Sequence, residues 1–122
     1  MDRIKIDIGG KVFVVELENT PTSKAIVEKL PFTSSAQTWG EEVYFSTPVS
    51  AKLEPGAQQV VEPGTVCFWT QGDAIALPFG RTPISTDHRS KLANPCNVLG
   101  VLRNHALLKG VKAGDKVKVE KA

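Results

Sequence analysis

Apolar and polar residues alternate with period two from the start of the chain. In "RIKIDI" (3–8), Ile4, Ile6 and Ile8 fall between Arg3, Lys5 and Asp7; Gly9-Gly10 then offers the positive backbone angles of a two-residue hairpin, and "KVFVVEL" (11–17) returns. Residues 3 to 17 therefore predict a β-hairpin. Val12 and Val14 share one face of its second strand while Phe13 and Val15 share the other, so that strand is expected to be covered on both sides.

A helical pattern interrupts the strands once, in "NTPTSKAIVEKLP". Thr20 or Thr22 can accept from free amides of the first turn, Pro21 suits the first helical position, and Pro31 stops continuation. A short helix is expected near residues 21–30, with Ala25, Ile26, Val27 and Leu30 as an apolar stripe that plugs a barrel end or covers a sheet edge.

Beyond residue 32, Pro and Gly punctuate short apolar runs, the pattern of many strands joined by tight turns. The clearest strands are "VYF" (43–45), "VCFW" (66–69), "AIALPF" (74–79), "VLGVLR" (98–103) and "KVKVE" (116–120), with "AQQVV" as a short strand between two "EPG" turns. "WTQGDA" (69–74) reads as a hairpin connection. Seven or eight short strands with one helix would expose sheet edges unless the sheet curled shut, so the predicted fold class is mainly β, a closed barrel of about eight strands.

Composition narrows the picture without redirecting it. The 122 residues suit one domain, residues 1–122, and the 41% hydrophobic and 23% charged fractions are those of a globular protein. Fifteen Lys and Arg against 13 Asp and Glu leave a net charge of +2. No run of like charge concentrates it, so no nucleic-acid partner is expected. The charges of "MDRIKIDIGG" break any signal-peptide core, and no apolar segment is long enough to cross a membrane, so the expected location is cytoplasmic with no membrane partner. Cys67 and Cys96 match neither a disulfide framework nor a zinc spacing, and they are expected to be reduced.

Candidate chemistry is sparse. Nucleotide-binding glycine loops and a nucleophile elbow are missing, and His88 and His105 stand apart from other ligating types, so neither a cofactor nor a metal is expected. Glu41 and Glu42 are neighbours on a strand and point to opposite faces, so only one can enter a pocket. Glu41 is the carboxylate assigned to an aromatic cleft. Phe68 and Trp69 must likewise face opposite ways; with Phe68 in the core, Trp69 lies on the outer face, where aromatic area marks a binding surface. Arg81 follows Phe79 by two residues in "LPFGRTP", and its planar fork suits a carbonyl or carboxylate.

"WGEEVYF", "PGTVCFW", "LPFGRTP" and "NPCNVLG", in this order between Trp39 and Gly100, resemble the atypical cyclophilin-like family of small prokaryotic proteins. The resemblance implies a closed cyclophilin-type β-barrel with a ligand groove on its outer wall, where true cyclophilins hold a proline peptide. Of the segments that serve isomerisation in true cyclophilins, "FHR" and "FFI" are missing and "QGDA" (71–74) is a partial counterpart of "QGGD".

These observations converge on a binding module for a peptide segment or small organic ligand. The candidate ligand-binding residues are Trp39, Glu41, Tyr44, Phe79, Arg81, Thr82 and Asn97: aromatics for apolar contact, Arg81 for an acceptor, Asn97 and Glu41 for orientation. A weak peptidyl-prolyl isomerase, with Arg81 donating to the prolyl nitrogen, is the first alternative. A homo-oligomer without a ligand is the second.

Overall fold

A computed structural model describes residues 2–122. The expected hairpin forms from β1 (Arg3–Ile8) and β2 (Lys11–Leu17), with Gly9 and Gly10 at φ 57° and 91° in the turn. Ile4, Ile6, Ile8, Phe13, Val15 and Leu17 all point inward and are buried. Val12 and Val14 do not meet a second layer: they are 45% and 47% exposed, which corrects the expectation that β2 is covered on both faces. An apolar run can come from a strand whose outer face is merely β-branched, because Val favours strand geometry with or without burial.

Helix α1 (Pro21–Glu28) begins at Thr20, whose side chain accepts from Ser23 N (3.1 Å). Pro21 opens the first turn, and Ile26 is buried in the core with Ala25, Val27 and Leu30 packed beside it. The remaining strands are β3 (Phe32–Ser35), β4 (Gln37–Thr38), β5 (Glu42–Ser46), β6 (Gln58–Val61), β7 (Thr65–Trp69), β8 (Ala74–Pro78), β9 (Ser90–Val101) and β10 (Lys116–Lys121). A 3-10 segment, His105–Gly110, precedes β10.

The described residues form ten strands ordered β3-β10-β1-β2-β9-β7-β8-β5-β4, with β6 paired to β9 beside this path. β3 and β4 are halves of one run broken at Ala36, whose N–H donates to Asp115 O (2.8 Å). That run pairs with β10 at one end and β5 at the other, so it nearly closes the ring, and eight staves surround the core. The barrel expected from the strand pattern is the one observed. Phe13, Phe45 and Phe68 fill its centre without solvent exposure, each contributing about 2–3 kcal/mol of burial.

Two strand segments escape the sequence pattern: the polar closing run at 32–38 and the first half of β9. From Asn97 onward β9 lies in the barrel wall against β7, and against β2 at Gly100 and Val101. Its first half leaves the wall and pairs with β6, where the ladder breaks between Gln58 and Val60 and leaves room for Pro95. The β6/β9 ribbon covers part of the outer wall, enclosing a second small cluster of Val61, Cys67, Ala76, Leu92 and Cys96.

Candidate functional site

The site is built by register. Trp39 and Glu42 close a two-residue hairpin between β4 and β5, with Trp39 N donating to Glu42 O (2.9 Å). Gly40, at φ 58°, supplies the positive angle needed at the first central position, and a Cβ there would meet Pro83 Cδ at 2.7 Å. This turn sets which side chains leave the barrel. Val43 and Phe45 enter the core, so Glu42 and Tyr44 stand on the outer wall.

Two neighbouring strands complete the surface. Tyr44 pairs with Ala76 on β8, Ala76 pairs with Cys67 on β7, and Trp69 lies one pleat further along β7. Because Ala76 has almost no side chain, the row between Tyr44 and Trp69 is left open. The β6/β9 ribbon brings Leu92, Ala93 and Cys96 over it. The result is a cavity of about 270 Å³ lined by Trp39, Glu42, Tyr44, Trp69, Ala76, Leu92, Ala93 and Cys96.

The walls are aromatic, and one of them, Trp69, is held in place. Tyr44 and Trp69 meet edge to face, with ring centroids 6.5 Å apart and planes at 86°. Trp69 Nε1 donates to Asn94 Oδ1 (3.0 Å), and Gly72 lies so close to the indole that a Cβ would strike Cε3 and Cζ3. The ring therefore has little freedom to turn.

Glu42 is the charged residue of this cavity. It is 7% exposed, and its Oε1 is buried with no hydrogen-bond partner among the described residues. Burial pushes its carboxyl up from 4.5 to about 7, since an ion in this setting lacks both water and a countercharge. The thiol of Cys96 is pushed up to about 12, by burial first and then by Glu42, and burial also raises that of Cys67. Both remain protonated and weakly nucleophilic at neutral pH. Among the described residues no three His, Cys, Asp or Glu side chains gather closely enough to hold a metal ion.

Residues 2–120 match the cyclophilin-like family. The chain belongs to that family. The solution structure of a hypothetical protein from Archaeoglobus fulgidus is similar, with a TM-score of 0.85 and 41% identity over 99% of this chain and 95% of that one. No curated protein matches the chain. Among the described residues, no helix is long and apolar enough to cross a membrane.

Of the residues singled out from sequence, this cyclophilin-like barrel brings Trp39 and Tyr44 into the cavity and keeps the other five out of its lining. Glu41 turns the opposite way from Glu42: its Oε1 accepts from Arg81 N (3.2 Å) across Gly80, tying two turns together. Arg81 is exposed, and its Nη2 donates to Ser85 O (3.2 Å) within its own loop. Thr82 is buried, with its hydroxyl spent on Lys91 O and its N–H on Ser85 Oγ (3.0 Å). Phe79 packs against the main core.

Asn97 is wholly buried on the other side of the wall from the cavity's aromatic row. Its Nδ2 donates to Thr22 Oγ1 and Lys52 O (both 2.9 Å), and its Oδ1 accepts from Glu54 N (2.8 Å). Thr22 in turn donates through both its N–H and hydroxyl to the Glu54 carboxylate at the start of α1. Asn97 thus pins the helix and the 52–54 loop to β9, which is a structural task.

Of the residues lining the cavity in this cyclophilin-like chain, Glu42, Trp69, Ala76, Leu92, Ala93 and Cys96 lie outside the candidate site read from sequence. The signal for Trp69 was its alternation with Phe68, which places it outside the barrel. The signal for Glu42 was weaker, because choosing between adjacent glutamates requires the position of the Gly40 turn.

Proposed function

We propose that the protein is a binding module whose outer-wall cavity takes a small organic ligand or a single side chain of a peptide. One observation carries this reading: the Glu42 carboxyl sits unpartnered in an aromatic cavity, an arrangement that costs stability and is offset when a ligand supplies the missing partner. The cavity lies just below the usual range for drug-sized ligands, about 300–1,000 Å³, so the occupant is a small group. Trp69, held by Gly72 and Asn94, needs little reordering on binding.

The chain has two tryptophans, Trp39 and Trp69, and both line the cavity. Intrinsic fluorescence therefore reports directly on occupancy. Screening small metabolites and short peptides by tryptophan emission, with amide-shift mapping of the hits, should give shifts centred on β5, β7 and β8. Hits whose shifts avoid these strands would remove the cavity as the site. An isomerase working in this cavity would have no arginine donor among its lining residues, so a protease-coupled proline-peptide assay on the parent should stay at background.

Self-association is a second reading, favoured by a different surface. Val12, Val14 and Val101 are exposed and line one shallow depression across β2 and β9. Light scattering over a concentration series tests it, and a constant monomer mass would exclude it.

A further inference from the structure

We propose that the group this cavity selects is an alkylammonium head, held between the Glu42 carboxylate and the faces of Trp39, Tyr44 and Trp69. This inference rests on the cavity being the binding site. Three features make a cation the best-matched occupant. A carboxylate buried without a countercharge is strongly unfavourable, and a cation placed beside it restores that balance. Three aromatic side chains line the same space, and an aromatic face attracts a cation most strongly where water is excluded. No Lys, Arg or His is among the lining residues, so the protein itself fills neither role.

The geometry suits a rounded head group better than a flat one. Tyr44 and Trp69 stand at 86° to each other and form two adjacent walls, with Ala76 as a small floor between them. Trp69 is locked from behind by Gly72 and from its edge by Asn94, so this wall stands before the ligand arrives. The remaining lining, Leu92, Ala93 and Cys96, is apolar or neutral and offers methyl groups a contact surface.

The carboxylate gives the proposal a pH signature. The titratable side chains facing Glu42 are Tyr44 on its own strand, Cys67 from β7 and Cys96 from β9, and both thiols are pushed well above neutrality by burial. Glu42 is then the group that titrates near pH 7 in the cavity. A permanent cation binds the ionised form, so its apparent affinity should rise about tenfold per pH unit below 7 and level off above it.

The test uses tryptophan emission of the intact protein with three probes: choline, its uncharged carbon isostere 3,3-dimethyl-1-butanol, and a short peptide carrying trimethyl-lysine. Choline should bind at least tenfold more tightly than the isostere, with the stated pH profile, and Glu42→Gln should lower its affinity at least tenfold and flatten the profile. Choline and the peptide share the head group; tighter binding of the peptide assigns the source to a protein side chain, and tighter binding of choline to a free quaternary-ammonium metabolite. Equal binding of choline and the isostere, or affinity that falls as pH rises, would overturn the cation proposal while leaving the cavity as a binding site. Silence of both indoles towards every probe and towards the neutral screen would overturn both readings.

Discussion

Replacing Glu42 by glutamine should make this protein more stable at pH 8 and leave its stability almost unchanged at pH 4.5. The carboxyl is 7% exposed and unpartnered, and burial raises it from 4.5 to about 7. In the unfolded chain the proton leaves near the ordinary value; in the folded protein it stays until about pH 7. Between these limits the unfolded state binds fewer protons, so unfolding becomes easier as pH rises, by about 1.4 kcal/mol per pH unit. Below the window both states are protonated and the penalty is absent. Above it the penalty is complete, at roughly 3 kcal/mol. Glutamine has nearly the same shape and never ionises, so it keeps the low-pH stability throughout. Urea unfolding followed by far-UV circular dichroism at pH 4.5, 6 and 8 would measure the difference, which corresponds to a rise in midpoint temperature on the order of 10 °C at pH 8. Exposed pairs such as Lys5–Glu120 and Asp87–Arg89 shift stability with pH equally in both proteins and cancel. A parent protein as stable as the glutamine variant at pH 8, or a difference that does not change with pH, would refute the argument that Glu42 is a buried and uncompensated acid.

Asn97→Ala should destabilise the fold by about 3 kcal/mol or more, measured by urea unfolding, because it strips partners from Thr22, Lys52 and Glu54 at once. Arg81→Ala should change stability by less than about 0.5 kcal/mol and leave tryptophan-detected binding intact, since the guanidinium is exposed and bonds only within its loop. Val12→Thr with Val14→Thr should also stay within about 0.5 kcal/mol in the same assay, whereas Phe68→Ala in the barrel centre should cost about 3–5 kcal/mol.

Much of the barrel is legible in the chain because its information is local. Alternation in β1 and β10 fixes which side chains point inward, Pro21 and Thr20 mark the helix start, and Gly9-Gly10 marks a turn. The closing run at 32–38 and the first half of β9 are not legible in this way. Residues 32–38 (FTSSAQT) and 90–96 (SKLANPC) carry no sustained period-two pattern, and they are strands because neighbours already in place offer them hydrogen-bond partners.

The candidate site divides along the same line. The outward direction of Trp69 follows from strand alternation, whereas Trp39 and Tyr44 are singled out by residue type and by their grouping with the other aromatics. Thr82 and Asn97 have residue types suited to binding, but a residue type does not reveal that its polar groups are already engaged inside the protein. Asn97 shows this most clearly: its partners Thr22 and Glu54 lie 75 and 43 positions away in sequence.

By itself the sequence determined a mainly β chain of the cyclophilin-like family, its hairpins, its short helix and the outward direction of Trp69. Tertiary structure decided which glutamate enters the cavity, because the Gly40 turn sets the register of β5 and a shift of one residue exchanges Glu41 for Glu42. It also decided that a cavity exists at all. That space depends on Ala76 lying between two large rings on neighbouring strands, and on a ribbon from β6 and β9 folding back over them.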